Sequence, residues 1–179
     1  MRSMRRLPLL LLASLATVSA AAVAQSQEPV SALKGHNSDA PIDLTADRLE
    51  VQDRADRAIF AGNVKVRQDE LTLDTSRLTV AYSSSGGVQI KRLDASGGVT
   101  VRSPSETARG DFGIYDLDRK LITLVGDVVL QREGSSISGQ RLVIDLDSGR
   151  AVIDGGPAGV GQSGGRVTGH FTVPQRRGS

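Results

Sequence analysis

Cysteine is absent from this chain, which removes disulfides, thiolate nucleophiles and thiolate metal sites together. Tryptophan is absent too, and the aromatics are only Phe60, Tyr82, Phe112, Tyr115 and Phe171, so no stacking platform for single-stranded nucleic acid is present. Neither charge sign dominates. There are 22 basic and 20 acidic residues, and the excess disappears once Arg2, Arg5 and Arg6 of the first segment are set aside; a basic nucleic-acid surface is not indicated. The two histidines, His36 and His170, stand in polar or glycine-containing terminal regions and read as solvated residues, since a metal site needs several converging ligands. Asp111, Asp116, Asp118 and Asp127 follow no calcium-loop spacing. No Gly-x-Ser-x-Gly elbow and no Gly-Lys-Ser/Thr phosphate loop occurs. The expectation is a protein that is not an enzyme and carries no metal or cofactor.

The N-terminus is the one place with a long apolar run. Three arginines precede Leu7 to Val18, and Ala22-Val23-Ala24 follows ahead of Gln25. A charged start, an apolar stretch and a small-x-small motif form the pattern of a secretory signal peptide cleaved near Ala24/Gln25. The run is short of the about 20 residues a spanning helix needs. Residues 25–40, with Pro29, Gly35, Asn37 and several serines, read as a flexible lead-in.

From Pro41 onward the texture is period two. Leu49 and Val51, Phe60, Val64 and Val66, Leu71 and Leu73, Leu78 and Val80 each alternate with polar neighbours, the mark of strands with one apolar face. Helix content should be small. A five-residue outline then recurs: Gly62-Asn63-Val64-Lys65-Val66, Gly97-Gly98-Val99-Thr100-Val101 and Gly126-Asp127-Val128-Val129-Leu130, with a weaker copy at Ala151 to Gly155. A second landmark, an apolar pair two apart, falls at residues 49, 78, 113, 142 and 171, in steps of 29, 35, 29 and 29. The longer step contains the flexible Ser83-Ser84-Ser85-Gly86-Gly87 loop. At the third landmark Gly113 stands where leucine is expected, leaving Phe112, Ile114 or Tyr115 to fill the space. Repetition at this period predicts stacked supersecondary units that share one core. The domain should span residues 41–156. The glycine-rich segment 157–179 should hold one last edge strand at Phe171 and Val173, then a basic tail.

The apolar face is the remaining candidate for function. It reads either as an ordinary dry core or as a groove for alkyl chains, in which each buried methylene is worth about 0.8 kcal/mol. Composition leaves both open, so a secreted structural repeat or filament module with a closed core stands beside a lipid carrier.

Ala46-Asp47-Arg48-Leu49-Glu50-Val51, Ala58 to Val66, Gly110 to Asp116 and Leu124 to Val128 together resemble the OstA-like (LptA) family of periplasmic lipopolysaccharide-transport proteins. The resemblance covers roughly residues 41–156. It implies an all-β fold, an open β-jellyroll whose apolar interior shields the acyl chains of lipid A. It also implies end-to-end pairing of edge strands, Ile42 to Val51 at one end and Leu142 onward at the other. The implied partners are lipopolysaccharide, further copies, an LptC-like inner-membrane protein and an LptD-like outer-membrane protein. Carried onto this chain, the implied lipid-facing positions are Leu49, Val51, Phe60, Val64, Val66, Leu78, Val80, Val99, Val101, Tyr115, Leu124 and Val128.

Overall fold

The computed structural model describes residues 33, 36–156 and 165–172. The expected signal peptide, much of the lead-in and the basic tail lie outside them. The described residues form ten strands: β1 (Ile42–Thr45), β2 (Arg48–Gln52), β3 (Arg57–Gln68), β4 (Leu71–Ser83), β5 (Gln89–Arg102), β6 (Glu106–Asp116), β7 (Leu121–Arg132), β8 (Ser135–Asp145), β9 (Arg150–Asp154) and β10 (Thr168–His170). The only helical element among them is a single 3-10 turn, Asp53–Ala55. All strands belong to one antiparallel sheet in the order β1-β3-β4-β5-β6-β7-β8-β10, with β2 also on β3 and β9 also on β8. Its two ends do not meet. The fold is therefore an open all-β sheet rather than a barrel.

The recurring glycine outline is the line along which this sheet folds over on itself. In β3, β5 and β7 two residues stand against one on the neighbouring strand: Gly62-Asn63 and Gly97-Gly98 against Ser76, Gly97-Gly98 also against Asp111, and Gly126-Asp127 against Gln140. Each pair takes positive φ at both positions: Gly62 79° and Asn63 46°, Gly97 83° and Gly98 82°, Gly126 83° and Asp127 39°. Only glycine, asparagine and aspartate enter that region readily, which explains the small or polar residue after each glycine. Such bulges bend a strand sharply. Successive bulges in register turn every long strand through one crease. Before the crease β3 pairs with β2, and after it with β1.

Two leaves result. Leaf one holds β2, β9 and the halves of β3 to β8 from Arg57 to Ala61, Arg77 to Ser83, Gln89 to Ser96, Phe112 to Asp116, Leu121 to Val125 and Arg141 to Asp145. Leaf two holds β1, β10 and the other halves. The even strands switch parity at the crease. Leu71 and Leu73 are buried on one side of Ser76, Leu78 and Val80 on the other, so the same sheet face stays inside both leaves.

Sequence periodicity missed what packs into the crease from the preceding strand. Asp47, Ser76, Asp111 and Gln140 each lie two residues before a landmark, and the space a Cβ would need on Gly62, Gly97, Gly126 and Gly156 is taken by them in turn. The Asp47 N–H donates to the Gly62 carbonyl at 2.9 Å, Asn63 Nδ2 donates to Asp47 Oδ2 at 2.8 Å, and Ser76 Oγ donates to the Gly97 carbonyl at 2.8 Å. These bonds hold the crease locally at the bulges of β3 and β5.

Two other expectations are corrected. Gly113 leaves room for Leu124 and Val99, whose methyls would both meet a Cβ there at 3.1 Å; Phe112 points outward and is 56% exposed. The last edge strand is Thr168–His170, paired with Ser136 to Ser138. Phe171 lies beyond it and is 63% exposed, while Val173 lies outside the described residues.

The candidate binding interior

Cross-strand register lines the inner face of leaf one with two apolar rows. One runs Leu49, Phe60, Leu78, Ala95, Gly113, Leu124, Leu142, Ile153 from edge to edge. The other runs Val51, Ala58, Val80, Leu93, Tyr115, Ile122, Ile144, Ala151. Directly opposed residues on paired strands point to the same face, so the landmark positions 49, 78, 113 and 142 fall on one row, every second strand. Val64, Val66, Leu73, Val99, Val101, Val128 and Leu130 supply leaf two, and the buried residues of both leaves form one apolar cluster.

Of the implied lipid-facing positions, Val64, Val66, Leu78, Val80, Val99, Val101, Tyr115, Leu124 and Val128 are brought together as buried residues, and Phe60 is half-buried against them. Leu49 and Val51 are not enclosed. They are 54% and 55% exposed, because β2 is the last strand of its leaf and no described residue covers its inner side. Their cross-strand partners, Phe60 and Ala58, still place them on the inner-face rows.

The leaves are tied across their free tips by a buried polar contact that sequence reading did not identify. Tyr115 of leaf one donates its hydroxyl proton to Gln68 Oε1 at the end of leaf two, at 2.9 Å. Burial first, then the nearby Asp39 carboxylate, push the Tyr115 hydroxyl up to about 12, while the Gln68 bond pulls the other way; it stays a neutral donor at all physiological pH. Gln68 Nε2 donates to the carbonyls of Ser38 and Ala40, both at 2.9 Å, and His36 Nε2 lies 3.2 Å from Gln68 Oε1. Residues 36–40 are thus fastened in place, and His36 is a half-buried partner of Gln68 rather than the solvated residue expected. The only sequence signal was a glutamine on the apolar parity of β3.

Glu106 is, with Gln68 and Thr75, one of three buried polar residues of leaf two. It is 7% exposed, both carboxyl oxygens lack a partner among the described residues, and its cross-strand neighbour is Arg132. Burial raises its pKa from 4.5 to about 7 despite the opposing pull of the Arg132 charge. Among the described residues no group of three or more histidine, aspartate or glutamate side chains could hold a metal ion, and no helix is long and apolar enough to cross a membrane.

An open, creased antiparallel sheet with an apolar inner face, its strand edges unpaired among the described residues, defines an open β-jellyroll. The family model for the LptA/(LptD N-terminal domain) LPS transport protein matches residues 43–150. The chain belongs to that family, which is one of lipopolysaccharide-transport proteins. An uncharacterized protein of Rhizobium meliloti (strain 1021) is 35% identical over 146 residues, covering 76% of this chain and 77% of that protein. The fold matches the crystal structure of LptH, the LptA-homologous periplasmic component of the lipopolysaccharide transport device of Pseudomonas aeruginosa. That match has a TM-score of 0.63 at 18% identity and covers 76% of this chain and 98% of that one.

Proposed function

We propose that the chain is a periplasmic carrier that shelters the acyl chains of lipid A between its two leaves. It joins end to end with further copies and with LptC-like and LptD-like jellyrolls to bridge the inner and outer membranes. The observation that carries this reading is the continuity of the inner-face rows up to both edges. Leu49 and Val51 leave apolar surface open at β2, Ala151 and Ile153 carry the rows to β9, and strand edges unpaired among the described residues offer backbone groups for pairing at both ends. A second jellyroll stacked on either edge would extend the same apolar strip. A self-contained structural module has no use for an inner face exposed at its edge.

The complete burial of Leu78, Leu124 and Leu142 favours the second reading, a closed-core structural repeat. Native mass spectrometry of the protein purified from a Gram-negative envelope, titrated with lipopolysaccharide, separates the two. The carrier reading expects saturable adducts and a ladder of oligomers. It also expects Leu49→Glu/Val51→Glu to remove the ladder while the monomer stays folded, because two charges would face the neighbouring copy. A folded parent protein that takes up no lipopolysaccharide at any concentration leaves the structural module.

A further inference from the structure

The crease closes one long side of the interior, and the mouth on the opposite side lies between two sets of turns. Leaf one ends there in the turns after β2, β4, β6 and β8, leaf two in those after β3, β5 and β7. Residues 36–40 run between the two sets. On the leaf-two side they are held by Gln68, and the Asn37 N–H lies 3.4 Å from Asp69 Oδ2. On the leaf-one side Asp39 lies 4.0 Å from Lys120, which itself pairs with Asp147 at 3.3 Å in the next turn. Leu33 is buried in the common core. A cavity of about 110 Å³ remains between Leu33, His36, Leu71 and the Ser103 to Ser105 turn.

The fastening is made of few and replaceable bonds. Gln68 alone supplies the contacts to Tyr115, His36, Ser38 and Ala40, and each such bond is worth little net because water can replace it. The Asp39 to Lys120 pair is long, and Asp39 is exposed, a geometry that contributes little. One ring nitrogen, His36 Nδ1, is buried with no partner among the described residues, which works against the closed arrangement. The crease, by contrast, is set by backbone conformation in β3, β5 and β7.

We propose that residues 36–40 are a lid over the mouth, latched by Gln68 and Tyr115, and that a long-chain amphiphile enters the interior sideways through this mouth when the lid lifts. The proposal rests on the carrier reading above and adds the route and the residues that control it. The alternative route is endwise, past Leu49 and Val51. Sideways loading lets several acyl chains slip in together while the sugar headgroup stays in water. Endwise loading would drag the headgroup along the apolar strip.

The test uses Asp39→Cys/Lys120→Cys, positions suited to a short bis-methanethiosulfonate spacer that dithiothreitol cleaves, in a chain with no other cysteine. The probe is fluorescently labelled lipopolysaccharide, and the readout is its rate of uptake. With the spacer in place, uptake is expected to slow by roughly tenfold or more, and cleavage should restore it. Gln68→Ala should do the reverse in the unmodified protein, speeding uptake and release by roughly tenfold, the factor that one or two ordinary hydrogen bonds correspond to. Uptake equally fast with the spacer intact overturns the lid and assigns the endwise route, leaving the carrier reading standing. No uptake by bridged, cleaved and parent protein alike removes the carrier reading, and the lid with it.

Discussion

Gly126→Ala isolates the physical origin of the crease. Alanine at φ +83° enters a left-handed region that costs about 1–2 kcal/mol for a residue with a Cβ. The added carbon also meets the Asp111 side chain, whose Cβ and Cγ lie 2.9 Å from the new position and whose carboxylate lies closer still. The Asp111 Cβ is fixed to β6, so relief requires the backbone to move. Overpacking of this kind adds about 1–3 kcal/mol, and a total loss of about 3 kcal/mol is expected. Gly98→Ala is the internal control. Gly98 has nearly the same φ, +82°, yet no atom lies within 4 Å of its added Cβ, so it should lose only the conformational share, about 1–2 kcal/mol. Urea unfolding followed by far-ultraviolet circular dichroism measures both, provided the m-values match. Asp111→Gly in the Gly126→Ala background should return the contact share, as a double-mutant cycle reads it. Equal losses at the two glycines, or no coupling between positions 111 and 126, would falsify the claim that packing against the preceding strand sets the fold angle.

Glu106 predicts a pH dependence with a definite sign. Its pKa is raised on folding, from 4.5 to about 7, so the folded state binds the proton more tightly. Its contribution to stability is full below about pH 4.5, declines as the pH rises towards 7 and is gone above it, by at most about 3 kcal/mol. Glu106→Gln should abolish that slope and exceed the parent in stability at pH 8; urea midpoints from pH 4.5 to 8 that fall in parallel for both proteins would contradict the assignment. Leu124→Ala removes a side chain with no exposed surface that also fills the space over Gly113, and a loss of about 2–5 kcal/mol is expected from transfer and cavity terms. A midpoint shift equivalent to under about 1 kcal/mol would show that the leaves collapse freely onto the void.

Much of this protein was legible in its sequence because its structure is locally periodic. Alternation of Leu78 and Val80 with Thr79, or of Val99 and Val101 with Thr100, specifies strands and an inner face by side-chain geometry alone. The recurring glycine followed by Asn63, Gly98 or Asp127 marked the repeat, because a doubly left-handed step accepts few residue types. Those choices are made one strand at a time, and they carried the all-β class. What needed the third dimension was everything that depends on residues distant in the chain. The outline at Gly62 did not reveal that it is a crease, since a bulge is defined only against the strand it opposes. No local pattern showed that Asp47 and Asp111 each stand against a glycine 15 positions later. Leu49 follows the same alternation as Leu78, yet one is exposed and the other buried, because burial depends on which strand ends the leaf. The tie from Tyr115 to Gln68 spans 47 residues and closes two leaf tips that no local pattern brings together. Alternation and turn chemistry act over a few residues and are written in the sequence directly. Enclosure, the latch and the free edges arise only when the sheet folds on itself.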